Sequence, residues 1–289
     1  MVGIDEIGWV RAYEPERIAD VLRDRPRGMM ARDADTKLMI IAADHPARGA
    51  LAAGVDPMAM ADRGDLLARC VEALSRPGVH GFLGTADIIE ELALLGALDD
   101  KLVYGSMNRG GLAGASFEMD DRFTGYDARG VIDASLDGGK MLLRIDLDDP
   151  GTIRTVEACS RAVDELAGHQ VIAMVEPFIS RRVGGEVRSD LTPDAVIRSI
   201  VITSGLGRTS AYTWLKLPCV PEIERVMAAS TLPALILGGE VSEDPDVALA
   251  GWAKALALPT VRGLVIGRSL LYPPDDDVAA AVDNAVGLL

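Results

Sequence analysis

Short runs of apolar residues recur along the chain and alternate with longer stretches of helical periodicity. Eight apolar runs predict strands, at 37–44, 79–84, 101–107, 140–146, 170–177, 211–217, 233–239 and 262–268. Eight stretches between and after them predict helices, at 57–75, 85–97, 128–136, 151–167, 192–204, 220–230, 244–257 and 274–288. Continuously apolar strands are typical of a parallel sheet that is buried on both faces.

Strict alternation of strand and helix indicates eight βα units and therefore an α/β fold of the TIM-barrel type, (β/α)8. The chain has 289 residues, and such barrels commonly contain about 250 residues in one domain. We therefore predict one domain over 1–289, in which helices within 1–36 close the bottom of the barrel. An open doubly wound sheet is the alternative, but "DHPARGAL" after the first predicted strand is not a dinucleotide-binding fingerprint.

Net charge excludes several classes of partner. The 29 Lys and Arg residues stand against 44 Asp and Glu residues, which gives a formal charge of −15. An acidic surface disfavours binding to nucleic acid and to anionic membranes. No apolar run reaches the roughly 18 residues of a membrane span, and the N-terminal residues do not resemble a signal peptide.

The three cysteines are too few for a disulfide framework, so we expect a reducing, cytoplasmic setting. We also expect a small-molecule partner and a homo-oligomer.

Ionisable residues cluster where the predicted strands end. In a TIM barrel the carboxyl ends of the strands carry the chemistry, and apolar strands otherwise have no reason to end in charges. Lys140, Arg144 and Asp146 share one face of the fourth predicted strand, because side chains two residues apart point the same way. The first, third, fourth, fifth and sixth strand ends carry, in order, Asp44, Arg109, Arg144 with Asp146, Glu176, and Lys216.

Lys216 is the candidate nucleophile. It shares a strand face with Tyr212 and Trp214, and a buried amine must either find a partner or lose its proton. An unprotonated amine forms a Schiff base with a ketone or aldehyde. The alternative is a structural lysine held in a salt bridge.

Glycines mark the last two strand ends. Gly238 and Gly239 follow the seventh predicted strand, and Gly267 with Arg268 ends the eighth. Many barrels bind phosphate there on exposed backbone N–H groups, and glycine lets the phosphate approach closely. Arg268 would add a charge-assisted contact. The alternative is that these glycines only form turns.

Metal chemistry has few candidate ligands. His80 and His169 precede strands and are predicted at the far face of the barrel, so only His45 lies near the site. A histidine-rich zinc site is therefore excluded, and we expect that neither a metal nor a cofactor is required. A magnesium site remains an alternative, with three carboxylates as ligands: Asp44, Asp146 and Glu176.

An ordered set of segments resembles the class I aldolases of the deoxyribose-phosphate, tagatose-bisphosphate and archaeal-type fructose-bisphosphate aldolase group. The segments lie within 37–272 and read "IIAADHPARG", "LLRID", "VEPF", "TWLKLP", "LILGGEVSEDPD" and "VIGRSLLYP". The sequence departs from the group in "DHP" after the first strand and in the long loop over 108–127.

The resemblance implies a TIM barrel with a Schiff-base lysine at the end of strand six, which matches Lys216. It also implies an acidic residue at the end of strand one, which matches Asp44. Asp146 and Glu176 occupy positions where members of the group carry polar or acidic site residues. Phosphate would be held at the ends of strands seven and eight, at Gly238, Gly239, Gly267 and Arg268.

The resemblance implies an aldehyde-lyase that cleaves a phosphorylated keto sugar or keto sugar acid through an iminium on Lys216. One candidate substrate is a deoxy-keto-gluconate phosphate of inositol breakdown. Arg109, Arg144 and Arg182 are candidates for binding a carboxylate or second anion. The alternatives are a metal-assisted TIM-barrel lyase that uses the three carboxylates, and a non-catalytic barrel that binds sugar phosphates.

Overall fold

Eight parallel strands and one added antiparallel strand form the sheet of this computed structural model, which describes residues 2–30, 35–239, 241 and 244–289. The strands within this part of the chain are β1 Leu38–Ala42, β2 Gly81–Gly84, β3 Leu102–Ser106, β4 Gly138–Ile145, β5 Ile172–Val183, β6 Glu186–Ser189, β7 Thr213–Pro218, β8 Ala234–Leu237 and β9 Val261–Ile266.

The sheet is closed. Each barrel strand pairs in parallel with the next barrel strand along the chain, and β7 follows β5 in this order. The last strand, β9, pairs in parallel with β1, where Ile266 lies opposite Ile41. Pairing of β9 with β1 excludes the open sheet and confirms the TIM barrel. All eight predicted strands overlap a barrel strand, and the sixth, seventh and eighth correspond to β7, β8 and β9.

Helices occupy the connections between the barrel strands. The α-helices of the described residues are α1 Ile7–Tyr13, α2 Glu16–Asp24, α3 Arg63–Ser75, α4 Ala86–Leu94, α5 Ala128–Asp133, α6 Gly151–Gly168, α7 Pro193–Ser204, α8 Ile223–Met227, α9 Pro245–Leu256, α10 Arg268–Leu271 and α11 Val278–Val286. All eight predicted helices overlap one of these. Among the residues described, no helix combines the length and the apolar composition that crossing a membrane requires.

The first predicted helix begins later than expected. It was predicted from residue 57, whereas α3 starts at Arg63. Asp62 is the N-cap, and its side chain accepts a hydrogen bond from the backbone N–H of Asp65 at 3.0 Å. This cap satisfies an N–H group of the first helical turn, which is why the helix begins there.

Both faces of the barrel strands are apolar because each face contacts a different core. In β1, Leu38, Ile40 and Ala42 face the barrel interior, while Met39 and Ile41 belong to the larger core between barrel and helices. The same alternation continues around the barrel. Towards the carboxyl ends of the strands, the interior carries the buried charged side chains.

The N-terminal segment runs past the amino-terminal end of the barrel. The buried guanidinium of Arg25 donates to the carbonyl oxygens of Lys101 at 3.0 Å and Ser135 at 3.1 Å. Met30 packs against the apolar cluster inside the barrel. Met1 and residues 31–34 of the predicted bottom-closing extension lie outside the described residues.

A hairpin between β5 and β6 was not predicted. The fifth strand was expected to end at 177, but β5 continues to Val183 and turns through Gly184 and Gly185 into β6. Both glycines have positive φ, 61° and 92°, which L-residues rarely adopt and which two-residue hairpin turns require. The glycine pair in "RRVGGEVRS" was the signal for this hairpin.

We expect Gly263→Ala to destabilise the barrel. Gly263 has a φ of 144°, and an added Cβ would lie 2.0 Å from the carbonyl oxygen of Leu38 in the neighbouring strand. The free energy of unfolding, measured by urea denaturation, should fall by about 2–5 kcal/mol. Gly168→Ala is the control, since its Cβ meets no heavy atom within 4 Å. An unchanged midpoint for Gly263→Ala would contradict this assignment of the β1–β9 contact.

Candidate active site

Five buried side chains form a continuous chain of alternating charge inside the carboxyl end of the barrel. Lys216 Nζ lies 3.0 Å from Glu176 Oε1, and Lys140 Nζ lies 2.5 Å from Glu176 Oε2. Lys140 Nζ also donates to Asp44 Oδ2 at 3.1 Å. The same carboxylate of Asp44 pairs with the guanidinium of Arg109. Two carboxylates thus alternate with three cations.

Strand register brings these residues together. Met174 of β5 is paired on one side with Lys140 of β4 and on the other with Trp214 of β7. Two residues further along, Glu176 and Lys216 point into the barrel, because alternate side chains of a strand share a face. Glu176 therefore lies between the two lysines by the geometry of the sheet.

Burial makes this pairing obligatory. Lys140 is 2 % exposed and Lys216 is 3 % exposed, and an isolated charge in such a position would be strongly unfavourable. Sequence analysis placed Lys140 on the face of the fourth strand that carries charges but gave it no role. A lysine within the apolar run "GGKMLLRID" was the available signal.

Asp44 accepts two further hydrogen bonds at the end of β1. Ser106 Oγ donates to Asp44 Oδ2 at 3.0 Å, and Arg109 Nη1 donates to the Asp44 carbonyl oxygen at 2.7 Å. Arg109 Nε donates to Ser106 Oγ at 2.8 Å. Arg109 therefore fixes the orientation of the Asp44 side chain, instead of being free to bind an anion by itself.

Electrostatics keep both carboxylates ionised. Burial by itself raises the pKa of Glu176, but the charges of Lys140 and Lys216 outweigh that effect and lower the pKa to about 2. Burial likewise opposes ionisation of Asp44, yet the nearby Arg109 and Lys140 hold its pKa well below its usual range. Burial lowers the pKa of Lys140, and the two carboxylates only partly offset this.

His45 follows Asp44 at the mouth of the barrel. Its Nδ1 lies 3.9 Å from Asp44 Oδ1 and has no hydrogen-bond partner within the described part of the chain. Burial lowers the pKa of His45 to about 3, despite the opposing charge of Asp44. A neutral imidazole beside the buried charges is the expected state near pH 7.

Asp146 does not join this cluster. Strand β4 ends at Ile145, and the Asp146 side chain instead accepts the backbone N–H of Asp148 at 3.1 Å. The hydroxyl of Thr152 donates to the Asp146 carbonyl oxygen at 2.7 Å, which holds the turn. The three carboxylates proposed for magnesium therefore do not converge, and in the residues described no three His, Cys, Asp or Glu side chains are grouped to hold a metal ion.

Arg144 and Arg182 bind the protein itself. Both contact the β3–α5 segment, defined here as residues 107–127. Arg144 pairs with the carboxylate of Glu118 and donates to its carbonyl oxygen at 2.9 Å. Arg182 Nη2 donates to the carbonyl oxygen of Ser116 at 3.1 Å. Neither of these two predicted anion-binding residues lies in the chain of alternating charge.

The β3–α5 segment is anchored by further buried groups. Arg48 Nη2 lies 2.6 Å from Asp121 Oδ2. The side-chain amide of Asn108 donates to the Leu142 carbonyl oxygen at 2.5 Å and accepts the Leu142 N–H at 2.8 Å. The long segment is thus tied to β4 and to the end of β1, although it contains few residues in helix or strand.

The predicted phosphate-binding residues directly follow β8 and β9, the two strands after the one that carries Lys216. Strand β7 pairs with β8 through Pro218 and Leu237, and β8 pairs with β9 through Leu237 and Val265. Gly238 and Gly239 directly follow β8, whereas residues 240, 242 and 243 lie outside the described part of the chain. The end of β8 is thus adjacent to the strand that carries the candidate nucleophile, and the end of β9 lies one strand further.

The backbone geometry favours glycine at two of these positions. Gly239 has a φ of 73°, a value that favours glycine. A Cβ on Gly267 would lie 2.4 Å from the Ala42 carbonyl oxygen. Arg268 Nη1 donates to the Ala52 carbonyl oxygen at 3.3 Å, and its Nε has no partner within the described part of the chain.

Comparison with known proteins places the chain among structures of related fold. It is 55 % identical to Cgl0159 from Corynebacterium glutamicum, with a TM-score of 0.94 over 99 % of this chain and 95 % of that one. It is 16 % identical to an archaeal fructose-1,6-bisphosphate aldolase with its catalytic lysine covalently bound to the carbinolamine intermediate (TM-score 0.63, 94 % and 98 % covered). It is 13 % identical to a fructose-bisphosphate aldolase from Slackia heliotrinireducens (TM-score 0.61, 96 % and 91 % covered).

At such low identities the likeness to the aldolases is one of fold, so the barrel is aldolase-like. A search of curated proteins found no match. The Cgl0159-like family model matches residues 36–286. The chain therefore belongs to the Cgl0159-like family.

Proposed function

We propose that this protein is a class I aldolase that cleaves a phosphorylated keto sugar or keto sugar acid through a Schiff base on Lys216. The observation that carries the proposal is the carboxylate of Glu176, held between the buried amines of Lys216 and Lys140. This arrangement lies inside the carboxyl end of an aldolase-like barrel, where barrel enzymes carry their chemistry.

Ion pairing favours Lys216 over Lys140 as the nucleophile. Lys140 contacts both Asp44 and Glu176, whereas Lys216 has one ion pair, with Glu176, among the described residues. The lysine with fewer partners loses fewer interactions when its nitrogen bonds to a carbonyl carbon. Lys216 also lies on the strand next to Gly238, where the substrate phosphate is proposed to bind.

Glu176 is the proposed proton carrier for Schiff-base formation. The ammonium group of Lys216 first gives a proton to Glu176, and the free amine then attacks the carbonyl carbon while Glu176 returns that proton to the carbonyl oxygen. A second proton then leaves the nitrogen, which gives a neutral carbinolamine, and Glu176 passes it to the hydroxyl group. That group leaves as water and an iminium remains. Glu176 Oε1 lies 3.0 Å from Lys216 Nζ, a distance suited to direct transfer.

Carbon–carbon cleavage needs a base at the substrate hydroxyl. The bonding electrons move to the iminium nitrogen, which forms an enamine, while the hydroxyl proton leaves and an aldehyde departs. We assign the base to Glu176 and the binding of a substrate hydroxyl to Asp44, whose carboxylate is fixed by Arg109 and Lys140. Asp146 is not assigned a part because its side chain holds a turn.

The substrate phosphate is assigned to the backbone at Gly238, Gly239 and Gly267 together with Arg268. One candidate substrate is a deoxy-keto-gluconate phosphate, which would yield dihydroxyacetone phosphate and malonate semialdehyde. No side chain is assigned to its carboxylate, because Arg109 holds Asp44 and Ser106, while Arg144 and Arg182 bind the β3–α5 segment. All three cysteines are free thiols, which supports the cytoplasm as the compartment.

Borohydride trapping tests the Schiff base. Incubation with dihydroxyacetone phosphate and borohydride should add one reduced adduct to the intact chain, seen by mass spectrometry, since borohydride reduces an iminium to a stable amine. Peptide mapping should locate the adduct on Lys216, and Lys216→Met should lose it. Lys140→Met should retain it. An adduct on Lys140, or activity that is lost on chelation and restored by a divalent ion, would contradict the mechanism.

Glu176→Gln should destabilise the fold at neutral pH. It leaves two buried ammonium groups without their shared carboxylate, which should cost about 3–5 kcal/mol. The pKa of Glu176 is about 2 when folded against an ordinary value of 4.5, so its stabilisation is complete above pH 4.5 and is lost as pH falls towards 2. Urea unfolding followed by circular dichroism should therefore show a shallower decline from pH 5 to pH 3 for the variant.

Glu165→Gln, an exposed position on α6, is the matched control and should follow the wild-type curve. Equal pH dependence of Glu176→Gln and wild type would contradict the assigned charge state.

Arg268→Ala tests the phosphate assignment. It should weaken binding of a phosphorylated substrate by about 1.5–3 kcal/mol if the contact is charge-assisted, which raises KM about 10- to 150-fold. Turnover of an unphosphorylated analogue should change little. Arg129→Ala, an exposed residue on α5 paired only with Asp133 in the described residues, is the control. An unchanged KM for the phosphorylated substrate would contradict the phosphate assignment, and Gly238, Gly239 and Gly267 would then serve only to form turns.

A further inference from the structure

The β5–β6 hairpin projects beyond the barrel and has one open edge. Strand β5 has 12 residues, against eight in β4 and six in β7. Its last four residues, 180–183, pair only with β6 in the described part of the chain. The other edge of β6 has no strand beside it among the residues described. Open edges of this kind can pair with a further strand.

The backbone groups at this edge have a defined direction. Asp190 donates its N–H to the carbonyl oxygen of Ile179 at 2.8 Å, towards β5. Because alternate residues of a strand direct their backbone groups to the same side, Arg188 and Glu186 also face β5. Val187, between them, therefore directs its N–H and C=O to the open edge.

Charge distinguishes this edge from a protected one. Charged side chains on an edge strand usually prevent pairing with another chain. Here Glu186 and Arg188 have opposite signs, are exposed and flank Val187 symmetrically, with Arg188 Nη2 at 2.8 Å from Glu186 Oε2. An antiparallel twofold pairing centred on Val187 places each Glu186 opposite the partner's Arg188. In this pairing each Glu186 forms an ion pair with Arg188 of the other copy, and no like charges lie opposite each other.

Two segments that carry exposed apolar side chains lie beside the hairpin. Arg182 of β5 donates to the Ser116 carbonyl oxygen at 3.1 Å and lies 3.8 Å from Asp149, so the β3–α5 segment and the β4–α6 loop lie beside the hairpin. Both carry large apolar groups in water: Phe117 is 55 % exposed and Leu147 is 73 % exposed.

We propose that two copies of this chain associate through the open edges of β6, antiparallel about a twofold axis at Val187. The two Val187 residues exchange N–H···O=C hydrogen bonds, and each Glu186 pairs with the partner's Arg188. Self-complementarity of a single short strand is the expected property of a twofold interface, and it selects a second copy over a different protein.

Charge exchange tests the pairing register. Sedimentation of the wild-type chain between about 1 and 100 µM should show a monomer–dimer equilibrium. Glu186→Arg and Arg188→Glu each place like charges opposite one another and should raise the dimer Kd about ten-fold or more. The double variant Glu186→Arg with Arg188→Glu restores opposite signs and should return Kd to near the wild-type value.

Val187→Pro tests the backbone contact. Proline removes an N–H that faces the open edge, so the hairpin itself keeps its hydrogen bonds to β5. The variant should fold, as judged by circular dichroism, and should not dimerise. Arg129→Glu, which changes the net charge by the same amount as Arg188→Glu but at an exposed site on α5, should leave Kd unchanged. The proposal would be overturned by a wild-type chain that stays monomeric, or by a dimer whose Kd is the same in all these variants.

Discussion

One carboxylate shared between two buried ammonium groups is the interaction on which the site depends. Glu176 lies between Lys140 and Lys216 inside the barrel. Removing water from three charges is unfavourable unless they are paired closely, so none of the three can change its position independently. The shared carboxylate thereby aligns the ends of β4, β5 and β7. It also positions the proposed nucleophile before any substrate arrives, which is the arrangement that lowers a reaction barrier most effectively.

Asp44 extends the same constraint to the first strand and beyond. Its carboxylate contacts Lys140 on one side and Arg109 on the other. Arg109 lies near the start of the β3–α5 segment, so it connects this segment to the reaction centre. Further along this segment, Arg48 with Asp121 and Arg144 with Glu118 form a second buried ionic group. The segment is held by charge pairing more than by helix or strand.

The arginines near the barrel mouth have two different roles, and this determines which of them are available to bind a substrate. Sequence analysis grouped three arginines as anion ligands, but two of them bind carbonyl and carboxylate oxygens of the β3–α5 segment. Arg268 remains at the side of the barrel where β8 and β9 end in glycines. The cations at the mouth thus serve two purposes, since one set anchors protein segments and the other lies where a phosphate is proposed.

Local pattern determined the fold and most of the reaction centre. Apolar runs of strand length, separated by helical periodicity, predict eight βα units because each strand must be buried on both faces. The same pattern places Asp44, Glu176 and Lys216 at strand ends, since a charge that terminates an apolar run lies at the barrel mouth. Only the tertiary structure decided which charges meet. Lys140 belongs to the cluster because the β4–β5 register places it next to Glu176. Asp146 was predicted on the same strand face but lies outside the cluster, because β4 ends at Ile145. Contacts across strands depend on register and on where each strand ends, and neither property can be read from one segment alone.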